Sequence, residues 1–270
     1  MSDDYDPPET EDEKSTEPLS KLLMRLQLSY IRGHYHELAQ TAAQQGWSHL
    51  EYINRLIEGE VAHRDDKSLE RRVRLARFPL PKTLDQFQWS WPKKINRPQI
   101  QHLFHLDFID KKANVLFLSG TPGLGKTHLS IALGHTACSS GYSVLFTTAI
   151  NMIQTLSAAA AVGAGELQHV MQRYLKPALL ICDEVGYLPI DKLGADLLFQ
   201  VVSQRYERGS IVLTTNRPFK KWAQIFNNDS TLTSALLDSL LHHAEVVVIE
   251  GPSFRGKDIV EVDSTPPTAS

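Results

Sequence analysis

Gly120, Thr121, Pro122, Gly123, Leu124, Gly125, Lys126 and Thr127 follow the pattern G-x-x-x-x-G-K-[ST] in full. With glycine near 7% of an average chain, such a run arises by chance in about one chain in a hundred. Its context narrows the reading further. An apolar run at 115–119 precedes it, and Leu129, Ile131, Ala132 and Leu133 follow it, so the segment reads as strand, loop, helix. The glycines let the backbone curl until successive N–H groups face one centre. The helix N-terminus adds partial positive charge there. That concavity suits the phosphates of a nucleotide. In a loop of this kind Lys126 reaches the β- and γ-phosphates and Thr127 ligates Mg2+.

Four more short β-rich runs, at 143–148, 179–183, 211–215 and 246–249, alternate with longer helical stretches from about residue 98 onward. Alternation of this kind predicts an α/β fold, a parallel sheet with helices on both faces. Ligands bind such sheets at the carboxyl ends of the strands. The run at 179–183 ends in Asp183 followed by Glu184, so Asp183 is expected to hold Mg2+ through water and Glu184 to polarise the attacking water. The run at 211–215 delivers Asn216, which orients that water, or touches the γ-phosphate, or simply opens the turn Asn216, Arg217, Pro218. The expected reaction is hydrolysis of ATP.

The net charge of −3 is unevenly spread: the first 18 residues hold eight acids against one lysine, which leaves the remainder modestly positive. That balance permits nucleic-acid binding without requiring it. Residues 1–17 are acidic with no apolar periodicity and are expected to be a disordered tail, as are residues 261–270. Residues 18–77 are expected to form a small all-helical N-terminal domain, with one helical stretch through Leu22, Leu26 and Ile31. A second helix is capped by Ser48 with Glu51, and a third starts near Asp65 or Asp66. The prolines at 79 and 81 stop the last helix. Residues 78–97 read as a linker, residues 98–260 as the nucleotide-binding domain, and the alanine run at 158–161 with the glycines at 163 and 165 as a flexible interruption. About twenty residues follow the last apolar run, too few for a full C-terminal helical lid. No apolar run approaches the roughly 18 residues of a membrane helix. Cys138 and Cys182 are expected to be buried small hydrophobes, and the whole fits a cytoplasmic protein.

Other residues support two readings each. Arg64, Lys67, Arg71 and Arg74 share a helix face that could follow a phosphate backbone or be merely solvated. Phe87, Trp89 and Trp91 could stack on adenine or a base, or pack against the core. His34, His36, His242 and His243 lack the spacing of a metal site.

The chain resembles the IstB family, the AAA+ helper ATPases of insertion-sequence transposons, which stand close to the DnaC helicase loaders. The matching runs are ERRVRLARF at 70–78, Lys82 to Leu84, the loop continued by His128 and Leu129, DEVGY at 183–187, LTTNR at 213–217, LLD at 236–238, LLHHA at 240–244 and GPSFR at 251–255. Together they cover roughly residues 19–258. The resemblance implies an AAA+ P-loop ATPase that self-assembles with ATP as a homo-oligomer and binds duplex DNA without strong sequence preference. It further implies that the protein deforms the DNA and recruits or stimulates the transposase of the same element. It places His128 and Arg255 at the nucleotide, Arg255 as the sensor-2 arginine, and assigns assembly to the N-terminal helices. Ser239 departs from the family, which carries its candidate arginine finger at that position; Arg205, Arg208 and Arg217 are the arginines available to replace it. The competing readings are a DnaC-like replicative helicase loader, a small-molecule P-loop kinase, and a nucleotide-bound interaction protein with negligible turnover.

Overall fold

A computed structural model describes residues 11–187 and 189–254. The chain divides into two compact units between Glu70 and Arg71, a boundary inside a helix and earlier than the expected one at residue 77.

The first unit is built from α1 (Glu11–Arg25), α2 (Ser29–Gln45) and α3 (His49–Ala76). Helix α1 starts within the segment expected to be a tail; glutamate, frequent there, is a good helix former, so acidic composition alone does not exclude a helix. Residues 1–10 and 261–270, also expected to be disordered, lie outside the described residues. Helix α3 runs unbroken through Asp65 and Asp66, where a new helix was expected. The helix propensity of aspartate is only about 0.7 kcal/mol poorer than that of alanine, and the helical residues on either side outweigh it. The break falls instead at residues 26–28, where Gln27 adopts a φ of 57°. Leu23, Ile31 and Leu56, one from each helix, form the small core.

Leu28, at the start of α2, supplies no side-chain cap. Glu60 of α3 does so from across the unit, accepting the N–H groups of Tyr30 (2.9 Å) and Ile31 (3.1 Å). Gly59 makes this approach possible, since a Cβ there would lie 2.0 Å from the Tyr30 ring. Arg64 donates to Glu60 (3.1 Å) and to the Gln27 carbonyl (3.1 Å), and Lys67 lies 3.5 Å from the Ser29 hydroxyl. Two of the four stripe cations therefore serve the packing of α2. The Ser48 hydroxyl accepts the N–H of Glu51 as expected, while the Glu51 carboxylate pairs with Arg55 rather than closing the capping box.

The second unit opens with the last turn of α3, where Arg72 donates to the Cys138 carbonyl (2.7 Å). It continues through α4 (Arg97–Leu103), α5 (Asp107–Asp110), β1 (Asn114–Leu118), α6 (Lys126–Ser139), β2 (Val144–Thr148), α7 (Ala149–Val162) and α8 (Ala164–Leu175). Then come β3 (Leu179–Val185), α9 (Lys192–Arg205), β4 (Ser210–Thr215), α10 (Trp222–Ile225), α11 (Ser230–Leu241) and β5 (Ala244–Val248). The five strands pair in parallel in the order β2-β3-β4-β1-β5. Successive strand residues point to opposite faces. Leu180, Cys182, Ile211 and Leu213 join a core with α7, α8, α9 and α11, while Ile181 faces Gly134 of α6. The result is the expected three layers. The alanine run is not a flexible interruption. It lies inside α7, as the best helix former should, and the chain turns into α8 at Gly163.

Arg205 is almost wholly buried and donates to the carbonyls of Tyr174, Leu175, Pro177, Ala178 and Ser210 at 2.8–3.2 Å. Burial lowers its pKa to about 10. The guanidinium ties the end of α8 to the starts of β3 and β4, so it is not available as an outward-reaching finger.

Residues 78–97 are not a free linker either. Lys94 and Glu250 exchange backbone hydrogen bonds (3.1 and 3.0 Å), and the Trp91 indole donates to the Pro252 carbonyl (3.0 Å). Phe87 is buried.

Burial by itself pushes the Glu60 carboxyl up, but the N–H of Ile31, the Arg64 side chain and the N–H of Tyr30 outweigh it and hold the group below its usual value. A carboxyl depressed in the folded state stabilises above its unfolded pKa and loses that contribution as pH falls through the folded one. The protection of the α2 amides in the full chain, taken relative to intrinsic exchange at the same pH, should therefore fall as pH drops below about 4.5. Glu60→Ala should abolish this dependence and cost about 1.5–3 kcal/mol at pH 7, the worth of hydrogen bonds to a charged group.

Candidate active site

The loop between β1 and α6 turns back on itself through Gly123 (φ 77°) and Gly125 (φ 86°), both in the left-handed region. Gly125 caps α6, so Lys126 is that helix's first residue. Lys126 is 7% exposed. Its Nζ donates to Ser119 Oγ (2.5 Å), at the tip of β1, and to Asn216 Oδ1 (2.6 Å), at the tip of β4. Ser119 Oγ donates in turn to the Thr121 carbonyl (2.7 Å), which sets the loop's entry.

Asp183, near the end of β3, is 3% exposed. Its carboxylate accepts from Thr127 Oγ1 (2.9 and 3.0 Å) and from Thr214 Oγ1 (2.5 Å). Burial raises its pKa, and the hydroxyls of Thr214 and Thr127 and the charge of Lys126 restrain the rise. Lys126 and Asp183 thus stand at one end of the sheet, with Thr127 next to the first and bonded to the second.

Glu184 is exposed and takes a φ of 61°. The cause is a bulge: Cys182 pairs with Leu213 and Val185 with Thr215, so β3 carries one residue more than β4 over this stretch. The bulge separates two consecutive acids. One is buried against Thr127, and the other is turned to the cavity.

A cavity of about 460 Å³ is lined by residues 122–128 together with Glu184, Thr214 and Asn216. Beside it a second space, of about 330 Å³, lies between Gly123, Leu124, Gly125 and His128 on one side and Phe87, Trp91 and Phe254 on the other. Both lie in the size range of small-molecule sites. Phe254 N–H donates to the Gly123 carbonyl (3.0 Å), and its ring meets Trp91 edge to face at 5.3 Å. His128 Nε2 donates to the Thr83 carbonyl (2.8 Å) and its ring stands against Phe87. Burial, aided by Lys82, holds this imidazole below its usual pKa, so it is neutral near pH 7. Of the three linker aromatics, Phe87 and Trp91 line the second cavity, while Trp89 packs on Phe87 and under Arg97.

Residues 120–128, Asp183, Glu184 and Asn216 are therefore brought together. Arg255 lies outside the described residues. Ser239 bonds back to its own helix at the Ala235 carbonyl (3.0 Å), and Arg208 and Arg217 are exposed. Reasoning from sequence overlooked Ser119 and Thr214; the signal for both is a hydroxyl where an apolar strand run reaches its tip. Cys138 and Cys182 are free and buried, and burial pushes their thiols up to about 11 and about 12.

The IstB-like ATP binding protein model matches residues 21–261. The chain belongs to that family. It is 38% identical over 231 residues to a protein of Geobacillus stearothermophilus named as the ATP-binding protein of insertion sequence IS5376, covering 86% of this chain and 90% of the relative. To the corresponding protein of insertion sequence IS21 from Pseudomonas aeruginosa it is 37% identical over 240 residues, 89% of each chain. Among solved structures, AMPPCP-bound DnaA from Aquifex aeolicus shares the fold, with a TM-score of 0.53 at 21% identity over 72% of this chain and 58% of that one. This IstB-like chain is thus an AAA+ P-loop ATPase in fold and family, and the family match spans both of its units. Among the described residues no helix is long and apolar enough to cross a membrane.

A Cβ at Gly125 would sit 2.5 Å from the Phe87 ring in a left-handed backbone. Gly125→Ala should therefore weaken nucleotide binding at least tenfold in a fluorescent-nucleotide titration, without changing helix content by circular dichroism.

Proposed function

We propose that this protein is an ATP-dependent regulator that assembles on duplex DNA as a homo-oligomer and activates or targets the transposase of its own insertion sequence. Relatives near 37–38% identity along most of both chains carry insertion-sequence names, which supports the transposition role. The observation that carries the nucleotide chemistry is the placement of Lys126 and Thr127 at one cavity, with Asp183 bonded to Thr127 behind it.

In this reading the loop N–H groups hold the phosphates, and Lys126 exchanges Ser119 and Asn216 for the β- and γ-phosphate oxygens. Thr127 and Asp183 offer hard oxygen donors of the kind Mg2+ takes. The metal, when bound, neutralises charge on the phosphates. Glu184, exposed at the cavity, orients and polarises the attacking water, and Asn216, released from Lys126, senses the γ-phosphate. The aromatic space by Trp91 and Phe254 takes the adenine. His128 acts indirectly, holding residue 83 against the loop. Arg255 keeps the sensor-2 role that the family resemblance assigns. With Ser239 too short to serve as a finger, Arg208 or Arg217 from a neighbouring copy supplies the positive charge. Fingers of this kind are worth about 10³–10⁵ in rate, so turnover is slow until copies assemble.

The DnaC-like loader reading shares the fold, but a likeness in fold alone does not choose a partner, and the insertion-sequence relatives favour the transposase. Glu184→Gln should retain ATP binding and lose at least about 100-fold in hydrolysis, the scale of a general base. It should also trap the oligomer on a duplex of about 60 base pairs, with steep salt dependence from counterion release. Gel filtration that returns only monomer with ATP and duplex, or recovery of a replicative helicase without a transposase in a pull-down, contradicts this function.

A further inference from the structure

We propose that Thr214 is the positioning residue that aims Glu184, acting through the backbone of the bulge rather than by touching nucleotide. The proposal rests on the assignment of Glu184 above.

Thr214 is 1% exposed, and a threonine hydroxyl has one proton to give and lone pairs to accept with. It gives the proton to Asp183 Oδ1 (2.5 Å) and accepts the N–H of Glu184 (2.9 Å). Both bonds therefore go to the two consecutive acids. The second replaces a ladder bond. At the bulge the Glu184 N–H has a side-chain oxygen of β4 as its acceptor. Without that oxygen, a donor at a residue already strained by a φ of 61° loses its acceptor on β4 and keeps only the neighbouring Asp183 carboxylate. The economical response is to slide β3 back into register, and a one-residue slip turns a strand side chain to the other face. Glu184 would then leave the cavity.

The neighbouring residues work to the same end. Thr215 Oγ1 donates to the Val185 carbonyl (2.7 Å), fixing the residue just past the bulge, and Asn216 accepts from Lys126. The last two residues of β4 and the residue that follows therefore grip the two acids, the bulge exit and the loop lysine. A change at Lys126 reaches the acids through a single rigid strand end.

The test compares Thr214→Val, which keeps shape and loses the hydroxyl, with Thr214→Ser, which keeps the hydroxyl, in the full chain. Three quantities are read: kcat against KM for ATP, the dissociation constant of a non-hydrolysable analogue, and amide hydrogen exchange at Glu184 without nucleotide. Thr214→Val should lose at least about tenfold in kcat, part of the roughly 10²–10⁴ that a well-aimed general base supplies, with analogue affinity within about threefold. It should also lose protection at the Glu184 amide. Thr214→Ser should restore all three. Unchanged kcat in Thr214→Val, equal damage in both variants, or a fall in kcat matched by the loss of analogue affinity would each overturn the proposal. So would fast exchange of the Glu184 amide in the unaltered protein, a measurement that holds even if the valine variant does not fold. If Glu184→Gln hydrolyses normally, the assignment of Glu184 is at fault. If Glu184→Gln is inactive and Thr214→Val is not, only the role of Thr214 falls.

Discussion

Asp183 brings a carboxylate to a place almost closed to water, and three elements are arranged to make that tolerable. An ionised group so buried is stable only when its oxygens are hydrogen-bonded. Here the partners are a hydroxyl from the first turn of α6 and another from the end of β4. Each bond also fixes geometry. The first holds the helix that follows the glycine loop against β3, and the second holds β4 at the bulge. Lys126 adds its charge from the other side while bonded to the tips of β1 and β4. The ends of α6, β4 and β1 therefore meet around one carboxylate of β3, and the cavity proposed for a triphosphate lies beside them.

The parallel sheet makes this convergence possible. With β1 between β4 and β5, and β4 between β1 and β3, the loop after β1 lies within reach of the tips of both β4 and β3. The middles of the strands are apolar because both faces are covered, and β2, β3 and β4 turn polar toward their carboxyl ends. Residues 78–97 then fold back along the loop through Phe87, Trp91 and the Lys94–Glu250 pairing, which extends the phosphate cavity into an aromatic one. In an IstB-like chain this provides room for a whole nucleotide with few added parts.

All five strands were legible to within two residues, because buried parallel strands write themselves as unbroken apolar runs. The glycine loop and Asp183 were legible because their chemistry needs particular residue types at particular spacing. The helical unit was read less well. Asp65 and Asp66 look like a helix start, but a long helix absorbs two poor formers, and the true break at Gln27 carries no glycine or proline to mark it. The bulge at Glu184 was invisible for a similar reason: nothing in a glutamate announces a left-handed backbone, which the hydroxyl of Thr214 stabilises from another strand. Arg205 looked available because a sequence does not show burial; only the five surrounding carbonyls reveal its use.

The central claim is that a triphosphate takes the place of Asn216 and Ser119 on Lys126, beside the metal held by Thr127 and Asp183. A structure of the full chain with a non-hydrolysable ATP analogue, Mg2+ and duplex DNA tests it most directly. The account predicts β- and γ-phosphate oxygens on Lys126 Nζ, the metal on the Thr127 side facing Asp183, and Glu184 turned toward the γ-phosphate. Phosphates bound elsewhere, with Lys126 still held by Asn216, would contradict it.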